Sequence, residues 1–296
     1  MAQRTLVLRI PTGEHEGLKK SLDVGTFEHR SVPHAVFSVK GEGVVATLYR
    51  SGKLVIQGAE PELFAARYTG HVAEPASTPD NDAAHDGPLA GSDEAGKGDY
   101  FGPLVVAAVR VEPDEARELA GSRVADSKKL SDETVLRMGA ALRSRYAHKV
   151  VRLDPPEYNE RYALQATRKQ GLNDLLADEH ARALGELIRP GDRVLVDQFA
   201  NERLMNERLA QAGVRLEQRP RAEEVPVVAA ASILAREAFL LGLRELSEAC
   251  GVDLYKGAGA PVDRAGVEVV RLHGEDGLAR FAKLHFKNTQ KIRELL

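Results

Sequence analysis

Over residues 35–58 apolar and polar side chains alternate around two turns, Gly41-Glu42-Gly43 and Ser51-Gly52-Lys53. A period of two sends successive side chains to opposite faces of a pleated ribbon, so this stretch predicts three antiparallel strands. Residues 6–10 predict a short strand ahead of them, residues 14–22 a helix, and residues 61–68 a second helix. Further on, residues 104–111 are apolar without alternation, the pattern of a strand covered on both faces. A tight Gly96-Lys97-Gly98 turn joins that run to a preceding strand, and residues 148–153 and 193–199 predict two more. Helical periodicity over 155–188 is interrupted near Gly171 and ended by Pro190-Gly191. A helix over 201–212 and a strand over 214–219 complete a strand-helix-strand crossover. Ser131 is a candidate N-cap for the helix after it. Residues 221–236 predict a helix rich in small residues, with Pro226 in its tolerant first turn.

The pattern fades between residues 71 and 90. Three prolines, four acids and no Lys or Arg mark a solvated linker that spans on the order of 25 Å as a flexible coil. The expected organisation is a small α+β unit over 1–70, a flexible linker over 71–90, and an α/β unit over 91–296. In the front unit, helices on one face of a sheet leave the other face free to receive something flat or grooved, with Lys40, Arg50 and Lys53 as its positive charge. A packing or oligomerisation module reads equally well from these residues.

Composition narrows the picture by exclusion. No apolar run approaches 18 residues and the start lacks a signal-peptide pattern, so a cytoplasmic location and no membrane partner are expected. The single cysteine, Cys250, excludes an internal disulfide and a cysteine zinc site. A formal net charge of -3 argues against indiscriminate coating of nucleic acid, though not against a local basic groove beside an acidic centre.

The candidate chemistry is carboxylate chemistry. Asp93 and Glu94 come just before the Gly96-Lys97-Gly98 turn, and such acids invite hard cations. Gly91, Gly96 and Lys97 also fit the phosphate-loop spacing. Gly98, however, stands where that loop needs a Ser or Thr for magnesium, and the two acids would repel a triphosphate. Asp197 ends a strand, where ligands of open α/β sheets gather. Glu223 and Glu224 stand at the entrance of the small-residue helix, a place the helix dipole favours for acids in any case. If one mixed sheet gathers Asp93, Glu94, Asp197 and Glu223, two magnesium ions would neutralise them, and two-metal hydrolysis of a phosphodiester uses all four. His180 and His285 read as structural or supporting histidines, since no nucleophile-base pair accompanies them.

Five ordered motifs then carry a resemblance: the run over 91–109, Asp126-Ser127-Lys128-Lys129-Leu130, Val196-Asp197-Gln198-Phe199, Ala229-Ala230-Ala231-Ser232-Ile233-Leu234-Ala235-Arg236, and Ala282-Lys283-Leu284-His285-Phe286-Lys287-Asn288-Thr289. Together they resemble type 2 ribonucleases H, and among these the bacterial ribonuclease HIII branch, over essentially the whole chain. The resemblance implies a ribonuclease H-like mixed sheet with flanking helices behind a small TATA-binding-protein-like domain. It also implies magnesium-dependent hydrolysis of the RNA strand of RNA/DNA hybrids to 5'-phosphate and 3'-hydroxyl ends, with manganese as the alternative ion. A monomer is expected. Asp93, Glu94 and Asp197 become metal-binding catalytic acids. Glu223 becomes the fourth if one residue has been deleted before Ser232, with Glu224 as the fallback. Backbone groups of Gly96, Lys97 and Gly98 are the expected readers of the 2'-hydroxyl. Ser127, Lys128, Lys129 and Ser232 are the other expected nucleic-acid contacts, the two lysines through phosphates. The sister branch has an arginine where Lys97 stands. A non-catalytic hybrid-binding module and a phosphate-loop phosphohydrolase are the rival readings. For the closing basic segment, 283–291, a solvated face is the ordinary expectation.

Overall fold

The computed structural model describes residues 4–23, 27–69, 87–122, 124, 130–197 and 202–296. Packing divides the chain into two units, Met1–Asp80 and Asn81–Leu296.

In the first unit, β1 (Arg4–Arg9), α1 (His15–Asp23), β2 (Glu28–His29), β3 (Ala35–Gly41), β4 (Val44–Tyr49), β5 (Lys53–Gly58) and α2 (Pro61–Thr69) follow in order. The strands form an antiparallel sheet in the order β1-β5-β4-β3-β2. The expected alternation is present. Leu6, Phe37, Val39, Ala46, Leu48, Leu54 and Ile56 are buried in one core with Leu18 and Leu22 of α1 and Phe64 and Ala65 of α2. The opposite face carries Val7, Lys40, Val45, Lys53, Val55 and Gln57, and across its centre Ser38 and Thr47 share a 2.8 Å hydrogen bond. The short β2 had no sequence signal, because a two-residue pairing is too brief for any period to register.

The second unit begins with β6 (Leu89–Ala95), two residues ahead of the expected Gly91. The rest of the expected linker, up to residue 86, lies outside the described residues. β7 (Leu104–Val111), α3 (Pro113–Ala120), α4 (Asp132–Arg145), β8 (Ala147–Leu153), α5 (Pro155–Thr167), α6 (Leu172–Gly185), β9 (Arg193–Asp197), α7 (Glu202–Leu209), β10 (Arg215–Arg219), α8 (Pro226–Cys250), α9 (Ala260–His273), α10 (Leu278–Phe281) and α11 (Lys287–Glu294) follow. The sheet runs β10-β9-β6-β7-β8, with β6, β9 and β10 parallel and β7 and β8 antiparallel to their neighbours. Ser131 caps α4 as expected, accepting from the Thr134 amide.

Two cores sandwich this sheet. Val105, Ala107, Val109 and Leu195 face α8. Ala90, Leu104, Val106, Ala108, Val194 and Val196 face the other way, toward Leu175, Leu176, Ala183 and Leu184 of α6. Every side chain of β7 is buried, which is why its sequence is apolar rather than alternating, apart from Arg110, whose guanidinium is paired with Asp192 at 2.7 Å. The run Ala229-Ala230-Ala231 on α8 is wholly buried. A Cβ on Gly91 would meet Val228 Cγ2 at 2.8 Å and Val227 Cγ1 at 2.9 Å, so the helix approaches the strand closely because Gly91 has no side chain there.

Candidate active site

The pleat of β6 decides where its acids go. Successive side chains alternate faces, so Gly91 and Asp93 turn to the α8 side, and Ser92 and Glu94 turn to the α6 side. Ser232 of α8 accordingly hydrogen-bonds the Asp93 carboxylate, and Asp93 Oδ1 also accepts from the Glu94 amide at 2.8 Å. On the other face, Glu94 Oε2 lies 3.2 Å from His180 Nε2, and Glu94 Oε1 accepts from Lys97 Nζ at 2.7 Å.

Parallel pairing of β6 with β9 aligns Ser92 with Val196, so Asp93 and Asp197 are the next residues along neighbouring strands. Adjacent strands lie about 4.8 Å apart. Asp197 shares its face with Leu195, which packs on the α8 side, so it stands on the same side of the sheet as Asp93. Its Oδ1 accepts from the Ala222 amide at 3.1 Å. This bond draws the 3-10 turn Ala222–Glu224 up to the strand end and sets Glu223 next to it in sequence. The turn is entered through Arg221 in a left-handed conformation (φ 60°), a conformation that costs a non-glycine residue energy and recurs at functional sites. Glu223 is half-buried, whereas Glu224 is exposed and ion-paired with Arg221 at 3.6 Å. The turn thus separates the two glutamates that the sequence left as alternatives.

Charge in the pair is uneven. Burial, then the neighbouring Glu94 charge, pushes Asp93 up from the ordinary 3.8 to about 6. Burial would raise Glu94 as well, but the hydrogen bond and charge of His180, together with Lys97, outweigh it and lower Glu94 to about 2. Among the described residues no three His, Cys, Asp or Glu side chains close around a common point. Glu94 is drawn toward Lys97 and His180, and Asp197 toward the Ala222 amide. The donor chemistry nevertheless fits a hard divalent cation. The acids offer only carboxylate oxygen, one of them is destabilised by burial beside a like charge, and an ammonium already neutralises its neighbour.

Gly96 takes φ +86°, and a Cβ there would lie 2.2 Å from the Pro103 carbonyl oxygen, so the turn after the acids requires glycine. Gly98 is exposed and has open space around it. Lys97 bonds Glu94 with its side chain. Ser232 is half-buried and bonded to Asp93. Ser127, Lys128 and Lys129 lie outside the described residues.

Two residues of this region were given no partner by sequence reasoning, which read His180 only as a structural or supporting histidine and the segment of Lys283 as solvated. His180 is wholly buried and bridges Ser92 and Glu94. A polar residue amid Leu176, Ala177, Ala183 and Leu184 on one helix face was the available signal, because a buried polar group needs a partner. Lys283 corrects the expectation of a solvated closing segment: it is 0% exposed. Its Nζ donates to the carbonyls of Gly102 (2.6 Å), Asp99 (2.9 Å) and Phe101 (3.4 Å), pinning the loop that follows the glycine turn. Burial pushes this ammonium down to about 7.

A family model described as Ribonuclease HII matches residues 90–289, and one described as a domain of unknown function matches residues 5–81. A relative named Ribonuclease HIII from Protochlamydia amoebophila is 38% identical, covering 94% of this chain and 93% of its own length. Another so named, from Chlamydia pneumoniae, is 37% identical with 97% of each chain covered. Among solved structures, one of Bst-RNase HIII in complex with Mn2+ superposes with a TM-score of 0.66 at 35% identity over 99% of both chains. Aquifex aeolicus RNase H3 does so with 0.55 at 26% over 95% of this chain and 100% of that one. With a match over residues 90–289 and relatives alike over nearly their full length, the chain belongs to the ribonuclease HII family, in its ribonuclease HIII group, and is a ribonuclease H.

Proposed function

We propose that the protein hydrolyses the RNA strand of RNA/DNA hybrids endonucleolytically, leaving 5'-phosphate and 3'-hydroxyl ends, with Asp93, Glu94, Asp197 and Glu223 as its catalytic acids. The observation that carries this reading is the alignment of Asp93 with Asp197 at adjoining parallel strand ends, with the Ala222 amide tying the Glu223 turn to Asp197. Two divalent cations held by these four carboxylates would supply the positive charge that activates a water and stabilises the departing oxygen of a phosphodiester. Magnesium suits all-oxygen donors, and manganese, present in the Bst-RNase HIII structure, suits them too.

This chain's own residues would do the rest. Ser232 orients Asp93, and the Ala222 amide orients Asp197. Lys97 neutralises Glu94 until a cation or a phosphate competes for the carboxylate or the ammonium. The backbone of Gly96, Lys97 and Gly98, bare of side chains at two of three positions, would read the 2'-hydroxyl that marks the RNA strand. Ser127, Lys128 and Lys129 would hold phosphates without reading sequence. The front unit, TATA-binding-protein-like in this reading, would grip the hybrid with its helix-free sheet face, where Lys40 and Lys53 are exposed. A cytoplasmic monomer completes the proposal.

Cleavage of an end-labelled hybrid, with and without Mg2+ or Mn2+, tests it beside the Asp197→Asn protein. Metal-dependent cuts within the RNA strand, lost on substitution, are the expected outcome. Tight binding without cleavage would instead indicate a hybrid-binding module, and nucleotide turnover a phosphohydrolase.

A further inference from the structure

Glu94 is held from the protein interior by an imidazole that belongs to none of the roles above. His180 rises from α6 into the core beneath β6, with Leu176, Ala177, Ala183 and Leu184 buried around it on the same helix. Its Nδ1 lies 2.8 Å from Ser92 Oγ and its Nε2 lies 3.2 Å from Glu94 Oε2. Ser92 and Glu94 are two apart on one strand, so the pleat presents both to the same ring. A carboxylate only accepts, so Nε2 carries the hydrogen in that pair, and the Ser92 hydroxyl can serve Nδ1 as donor or acceptor. The ring is thus aimed by one strand residue at another. The opposite oxygen of Glu94, Oε1, meets Lys97, whose side chain is 41% exposed. One carboxylate oxygen is therefore tied to the interior and the other faces the open side.

We propose that His180 is a positioning residue which, oriented by Ser92, clamps Oε2 of Glu94 and so reserves Oε1 as the donor toward a divalent cation. This rests on Glu94 being a metal ligand, as proposed above. A glutamate has three side-chain torsions to lose on binding an ion, and a partner that fixes its carboxylate beforehand removes that ordering cost from the binding step.

The test uses the full chain, with Mn2+ binding followed by calorimetry or electron paramagnetic resonance, and kcat and KM on a hybrid. Changes to groups that orient ligands typically cost 10–100-fold in metal affinity or activity. His180→Leu is expected to weaken Mn2+ and lower kcat on that order, with KM for the hybrid within about twofold of wild type. His180→Gln, whose amide reaches as far as Nε2, is expected to restore most of the Mn2+ affinity. His180→Asn, which can serve Ser92 but is too short for Glu94, is expected not to. Should the leucine protein fail to fold, the glutamine and asparagine proteins decide the matter, since both place an amide in the same buried hole. Equal losses in those two, or wild-type Mn2+ affinity in the asparagine protein, would overturn the positioning role. If the unaltered protein neither binds Mn2+ nor cleaves hybrid with metal, the nuclease reading fails and takes this inference with it. If it does both and the asparagine protein matches it, the positioning role alone fails.

Discussion

Asp93 gives up stability for its position. Its carboxyl is raised to about 6 in the folded protein against 3.8 ordinarily, so between those values the folded state binds more protons than the unfolded state. The cost is fully present above about pH 6 and disappears below about pH 4. In metal-free buffer at pH 7.5, Asp93→Asn is therefore expected to raise stability, by at most ~3 kcal/mol at 1.36 kcal/mol per pH unit. The gain should vanish in melts at pH 3.5, and a gain that persisted there would mean another cause. Gly96 makes the complementary case. With φ +86° and a Cβ 2.2 Å from a carbonyl oxygen, Gly96→Ala is expected to cost about 2–3 kcal/mol. Gly98→Ala, in open space, is expected to cost less than about 0.5 kcal/mol. Thermal melts of the two proteins side by side check the contrast. Asp93, Glu94 and the glycine turn were legible in the chain because their chemistry is local. His180 was legible only as a structural or supporting histidine, and its partners were not, since Glu94 and Ser92 lie 86 and 88 residues upstream and no period connects them.

At the scale of elements, the β6-β7 hairpin, β9 and α8 were readable because burial on both faces, or a stripe of small residues, leaves a mark in sequence. The continuation of α8 through Cys250 and the helix α3 were not anticipated. α3 is short and strongly polar, so its apolar stripe is too thin to register. Lys283 was misread for a general reason. A lysine is usually solvated, and only the folded chain brings it the carbonyls of Asp99, Phe101 and Gly102. Lys283→Met fills the same volume but leaves those carbonyls without their donor, and each such loss costs about 1–3 kcal/mol. The expected result is a stability loss of about 3 kcal/mol, with faster amide exchange across residues 99–102 than in α8. Uniform exchange changes across the unit would point to a general packing defect instead.

For the molecule as a whole, the proposed division of labour separates binding from chemistry. Lys40→Ala with Lys53→Ala in the full chain is expected to raise KM for a hybrid several-fold and leave kcat within about twofold. The slope of log KM against log salt should flatten by about one for each phosphate that the protein no longer neutralises. Unchanged kinetics would remove the open sheet face from substrate binding. Two compact units were legible from the loss of pattern after residue 70. The placement of charge on the front sheet was legible only in part, because alternation assigns faces but does not say which one the helices cover. The clamp made by Lys283 has a last consequence, for synthesis of the chain. The loop beside the acids is fastened by a residue 184 positions downstream of Asp99, and Phe101 bridges to Ala282 as well. Until residue 283 has been made, the nascent polypeptide carries every proposed acid and no fastener for the loop beside them.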